Sequence, residues 1–200
     1  MPRQKGFSLV ELLIVLGIIL VITGIGIPIY KTAMDGIRLQ EATRNYAGIL
    51  QRARINAVTS NTYDAVGIQF LPISCSTPPC DLIAYVDTAQ NNPPAAYATP
   101  EPMAVLGSGV IWTQTGVPGT TDLQNKVFNG TALGYPPIFG SRGLPCVPAG
   151  AVCSTQGGSD VAYATYFQSP LGKWQAVTVN PAGRIQLWSY DANASVWNQI

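Results

Sequence analysis

The side chains able to do chemistry in this chain are few, and several sit where their chemistry is costly. Between positions 7 and 29 the only charged residue is Glu11, set in "FSLVELLIVLGIILVITGIGIPI". A carboxylate in such a run costs roughly 2.5–3.5 kcal/mol at a bilayer centre and less near its edge. Its natural compensation is ionic. A cation beside it would offset the charge in a low-dielectric environment. The four cysteines are spaced C-x4-C (Cys75, Cys80) and C-x6-C (Cys146, Cys153) within Pro-rich stretches. Zinc knuckles use tighter C-x2-C spacing, so disulfides are the expected chemistry. Three pairings are open, proximity favours the two local ones, and each short staple is worth about 2 kcal/mol.

The sequence contains no histidine. That removes the usual general base and the usual metal ligand. Serines and aspartates are plentiful but have no base, and no phosphate or metal motif occurs. No catalytic residue, metal site or cofactor is therefore expected, and the function belongs to the non-enzymatic classes. Lys and Arg number 11 against 10 Asp and Glu, giving a formal charge of +1. Bulk electrostatics then attract neither nucleic acid nor an anionic surface, and any such role needs a local patch.

The elements that must position these groups begin with the apolar run. Leu12–Ile29 is 18 residues without a charge, long enough to span a bilayer as a helix. Arg3 and Lys5 precede it, which keeps the N-terminus cytoplasmic and sends the rest across. No small-x-small cleavage site closes the run, so a retained anchor is expected rather than a signal peptide. Pro28 cannot donate to the Gly24 carbonyl, and Gly24 and Gly26 weaken the same turn. Beyond it Leu39, Ala42, Tyr46, Ile49 or Leu50, Ala53 and Ala57 recur at three- and four-residue steps. One helix from about Phe7 to Thr59 follows, with its arginines on a solvated face, Glu41 and Arg44 spaced for an i,i+3 pair, and "TSNT" as the stop.

The remainder reads as β. Expected strands are Ala65–Leu71, Leu82–Val86, Val105–Thr113, Lys126–Phe128, Ala162–Phe167, Trp174–Val179, Arg184–Trp188 and a last edge at Ser195–Gln199. The clearest unit is "WQAVTVNPAGRIQLW", two alternating runs about Asn180–Gly183, a hairpin turn with Gly for positive φ. The fold class is thus α+β: a long N-terminal helix packed on an antiparallel β-sheet head. The pattern itself yields an apolar membrane helix ending near residue 30, an amphipathic stem over 31–60 and a β-rich head over 61–200. Trp174, Trp188 and Trp197 are expected in core or subunit packing rather than as a base-stacking platform.

"KGFSLVELL" resembles the class III signal of type IV pilins and type II secretion pseudopilins. The resemblance implies a leader over 1–6 cleaved by prepilin peptidase between Gly6 and Phe7, a membrane and filament-core helix over 7–30, methylation of Phe7, and roles in assembly for Glu11 and Pro28, the latter at a stretch that unwinds in filaments. It also implies an inner-membrane subunit of bacteria with its head in the periplasm, later carried into a filament. Its partners are then other pilins or pseudopilins, the peptidase, the assembly platform, and membrane lipid before assembly. "LQRARINAVTSN" and "VTVNPAGRIQLW" are similar to the stem end and closing hairpin of GspH/FimT-like minor pilins. "VFNGTALGYPPIFGSRGLP" looks like that group's Phe-x-x-x-Gly region, whereas the long cysteine-bearing loops depart from its compact pattern. Members that take up DNA in natural transformation carry Gly-Arg-x-Arg at this hairpin. Here Gly183-Arg184-Ile185-Gln186 lacks the second arginine, and Arg142 and Lys173 are the cations available to join Arg184. A solvated hairpin charge is the simpler expectation for Arg184.

Overall fold

The 3.6-residue pattern of the first 60 positions becomes a single helix, α1, over Leu9–Ser60. Ser8 caps it, its hydroxyl accepting from the Val10 N–H at 3.3 Å. Asn61 ends it in the left-handed region (φ 54°), with its N–H turned back to the Ala57 and Val58 carbonyls. Asparagine tolerates that conformation better than most residues, which is why "TSNT" stops the helix. The computed structural model of the chain describes residues 8–71, 80–89, 94–98, 101–130, 133–149, 152–156 and 161–200.

Two antiparallel sheets receive the second half of α1. The first contains β1 (Asp64–Leu71), β2 (Asp81–Asp87), β3 (Met103–Ser108) and β5 (Ile138–Phe139) in the order β3-β2-β1-β5. The second contains β4 (Ile111–Thr113), β8 (Tyr163–Gln168), β9 (Trp174–Val179), β10 (Ile185–Asp191) and β11 (Val196–Gln199) in the order β11-β10-β9-β8-β4. A separate hairpin joins β6 (Cys146–Ala149) to β7 (Val152–Gln156). The face of α1 bearing Leu39, Ala42, Tyr46, Leu50, Ala53 and Ala57 is buried with Val66, Leu82, Phe139, Phe167 and Val177 in one core. Polar groups fix its position. The Tyr46 hydroxyl lies 2.8 Å from Thr165 Oγ1, and the Thr43 hydroxyl donates to Gln175 Oε1 at 2.8 Å. Burial holds the Tyr46 phenol well above its ordinary pKa, so it bonds as a neutral group.

Three expectations from the sequence are corrected. Val105–Thr113 is not one strand. Gly107 and Gly109 take positive φ (97° and 86°), and the chain leaves the first sheet as β3 and enters the second as β4. Lys126–Phe128 is not a strand but the end of a helix, α2, over Thr120–Phe128. Leu123 and Val127, four apart, bury one face of α2 against Trp188 and Trp197 in a second core on the far side of the sheet. Asp122 in its first turn and Lys126 in its last complement the helix dipole and pair at 2.9 Å. Finally, the Pro- and Gly-rich stretch around residues 140–156 holds the β6–β7 hairpin, closed by a Cys146–Cys153 disulfide. Glu41 and Arg44 make no ion pair with each other.

Candidate functional site

The apolar segment and its lone carboxylate dominate one end of the molecule. Every residue from Leu9 to Ala33 is exposed, and the first buried position of α1 is Asp35. This stretch is long and apolar enough to cross a membrane. Among the described residues nothing in the head covers it, so in water it would present an apolar surface far beyond what a soluble monomer tolerates. Glu11 lies in the first turn, three residues after the Ser8 cap. There the partial positive charge of unpaired N–H groups favours a carboxylate. Gly6 and Phe7 lie outside the described residues. Pro28 lies inside an unbroken α1, with the Thr32 hydroxyl donating to its carbonyl at 3.1 Å.

The far end of the head brings together Arg54 and the turns that carry Arg142 and Arg184. The β9–β10 turn closes with Gly183 N–H to Asn180 O at 2.8 Å and Asn180 N–H to Arg184 O at 3.1 Å. A second turn repeats the pattern: Gly143 N–H to Gly140 O at 2.8 Å, and Gly140 N–H to Leu144 O at 2.9 Å. The two turns meet at their glycines, where a Cβ on Gly183 (φ 76°) would lie 3.0 Å from the Gly143 carbonyl oxygen. Arg54 fills the remaining angle and donates from Nη1 to Gly183 O at 3.2 Å. Arg142 and Arg184, both exposed, are therefore carried on touching turns.

Lys173 is not with them. It precedes β9, while Arg184 follows it, so a six-residue strand of about 20 Å separates the two. The Lys173 ammonium instead donates to the Thr32 carbonyl at 3.3 Å, beside the apolar segment. Arg54 corrects the expectation of a fully solvated arginine face on the stem: it is half-buried and bonded. Its signal lay in "LQRARINA" and "NPAGR", two stretches far apart in sequence that prove to touch.

The tryptophans are packing groups. Trp188 Nε1 donates to the Thr178 hydroxyl at 2.9 Å and Trp197 Nε1 to Pro118 O at 3.0 Å, while Trp174 packs against the same second core. The outer edge of β11 is covered by α2. Asp122 accepts from the Trp197 N–H at 2.8 Å, and Lys126 donates to the Trp197 carbonyl at 2.7 Å. The Trp197 N–H, with Lys126 assisting, lowers the Asp122 pKa. Cys80 is disulfide-bonded, and Cys75 lies outside the described residues.

Two buried carboxylates, Asp64 and Asp87, had no signature in the sequence. Asp64 is next to Ala65, which faces Asp87 in the β1–β2 pairing, so the two carboxylates point to opposite faces of the sheet while the Asp87 charge is still felt at Asp64. Asn56 Nδ2 donates to Asp64 at 2.7 Å, and the N–H groups of Ala89 and Ala95 donate to the two oxygens of Asp87. Among the described residues no group of three or more His, Cys, Asp or Glu side chains is arranged to hold a metal ion.

A family model described as the prokaryotic N-terminal methylation motif covers residues 1–27. No curated protein and no solved structure matches the chain.

Proposed function

We propose, from the prokaryotic N-terminal methylation motif over residues 1–27, that the chain belongs to the type IV pilin and pseudopilin superfamily and is a minor pilin or pseudopilin of the GspH/FimT kind. Residues 1–6 are its leader, removed by prepilin peptidase between Gly6 and Phe7, and Phe7 is then methylated. Residues 7–30 hold the subunit in the bacterial inner membrane with its N-terminus cytoplasmic. Residues 31–60 form the stem, and residues 61–200 form a periplasmic head that enters a pilus or secretion pseudopilus at or near its tip. The observation that carries this reading is the wholly exposed apolar helix with one carboxylate in its first turn, continuous with a stem buried in the head. Such a helix needs lipid before assembly and neighbouring helices after it. Glu11 meets the α-ammonium freed by cleavage and pins register, while the turn around Pro28 gives way as the filament forms.

Removing one partner of a buried ion pair costs about 3–5 kcal/mol. Glu11→Ala should therefore lower incorporation into sheared filaments by about a hundredfold or more by immunoblot. Normal incorporation would defeat the assembly role, and the mass of the mature N-terminus checks the cleavage site.

One observation favours a second reading, DNA capture for natural transformation: the turns bearing Arg142 and Arg184 touch, with Arg54 between them. With Gln186 in place of a second hairpin arginine, binding should be weak and steeply salt-dependent. A gel shift by the soluble head at low salt, reduced by Arg184→Ala, supports it, and no shift at low salt ends it.

A further inference from the structure

Where α1 leaves its apolar segment, a groove of about 260 Å³ opens between the helix and the β8–β9 turn. Its helix side is formed by Tyr30, Lys31, Met34, Asp35 and Arg38, and its other wall by Pro170 and Leu171. Asp35 is only 8% exposed, and its Oδ2 is buried with no hydrogen-bond partner. An unpartnered buried carboxylate oxygen is costly, so its retention calls for a cationic donor. Three cations are near, and none pairs with it. Lys31 lies four residues before Asp35, the less favourable order for an i,i+4 pair. Arg38 lies three residues after it, and Lys173 is engaged on the Thr32 carbonyl.

The level of the groove selects its occupant. Asp35 lies six residues, or about 9 Å of helix, beyond Ile29, just past the polar layer of roughly 5–7.5 Å that flanks a bilayer's hydrocarbon, and its side chain leans back toward the helix N-terminus and so toward that layer. Tyr30 and Leu171 are 65% and 57% exposed, and they continue the apolar surface of the membrane segment up to the groove's mouth. We propose that this groove binds the headgroup of a phospholipid bearing a primary ammonium. Asp35 Oδ2 is closed to solvent, so the ammonium reaches it when the side chain turns into the groove; the phosphodiester then lies against Lys31 and Arg38, and the glycerol region packs on Tyr30, Met34 and Leu171. A choline headgroup has no N–H to donate, and an anionic glycerol headgroup leaves Asp35 without a partner. Before assembly, this contact would fix the head's orientation on the membrane.

The inference rests on the membrane-anchored reading above, and the test separates the two. Full-length chain is placed in nanodiscs of mixed ethanolamine, choline and glycerol phospholipids, and retained lipids are weighed by native mass spectrometry. Wild type should retain the ethanolamine lipid over the choline lipid by at least about fivefold, the scale of one such hydrogen bond. Asp35→Asn, isosteric and checked for folding by near-ultraviolet circular dichroism, should abolish that preference. Lys31→Gln, at an exposed position, should lower retention of all three lipids. Equal retention of ethanolamine and choline lipids, tightest retention of the anionic lipid, or an unchanged preference in Asp35→Asn would overturn the site. If preference is absent and Asp35→Asn instead depletes sheared filaments, the cation comes from a neighbouring subunit and the lipid site is wrong. Failure of the chain to enter nanodiscs at all overturns the anchor and the site together.

Discussion

Asp64 is 1% exposed, with one amide donor from Asn56 and a second carboxylate, Asp87, near enough for its charge to be felt. Burial raises its pKa, the Asn56 bond opposes the rise, and the Asp87 charge adds to it. The folded chain therefore holds this proton more tightly than the unfolded chain does. As pH climbs past about 4, the unfolded state loses the proton first, and stability falls until the raised folded value is passed. Asp122 acts in the opposite sense: its lowered pKa contributes stability above the ordinary carboxylate range and loses it as pH falls. Asp64→Asn keeps an acceptor for Asn56 and removes the charge. It should raise stability at pH 7 relative to wild type and leave it nearly unchanged near pH 4. Urea unfolding followed by tryptophan fluorescence across that range checks the sign, and a variant less stable at pH 7 than at pH 4, relative to wild type, would show that the charged form of Asp64 is the stabilising one.

At the scale of elements, what the sequence revealed depended on how local its causes were. The helix α1 was legible because period, length and stop all lie within one stretch, and Leu39, Ala42, Tyr46, Leu50, Ala53 and Ala57 mark its buried face directly. The β9–β10 hairpin was legible for the same reason, since Asn180 and Gly183 make their own turn. The helix α2 was not. Its nine residues carry only Leu123 and Val127 as buried positions, and its place is set by Asp122 and Lys126 meeting a strand some seventy residues later. The break between β3 and β4 was hidden because "VLGSGVIWT" keeps strand-like residues on both sides of two glycines whose positive φ redirects the chain. Of the candidate residues, Glu11 and Pro28 could be found from a contiguous motif. Arg54 and Asp35 could not, because what makes each unusual is a contact or a missing contact with a distant turn. The grouping of Lys173 with Arg184 failed for a related reason: proximity in sequence placed them at opposite ends of one strand.

The whole molecule divides by burial near Met34. Residues 9–33 contribute no side chain to either core, whereas Leu39, Ala42, Thr43 and Tyr46 supply the stem's first contacts with both sheets. Hydrophobic stabilisation follows the area removed from water, so the anchor should add nothing to the head's folding while making it insoluble without lipid or partners. A chain beginning at residue 34 should be soluble and monomeric. Its thermal midpoint should lie within a few degrees of the full-length chain's in detergent, since changes away from the core fall within about 0.5 kcal/mol. A chain beginning at residue 47 loses Leu39, Ala42 and Tyr46 from the core at about 2–5 kcal/mol for each large side chain, comparable to the stability of a whole domain. It should not fold. Circular dichroism melts of the two fragments decide the matter: a folded fragment from residue 47 would show that the stem is dispensable to the head, and an unfolded one from residue 34 that the anchor is part of its core.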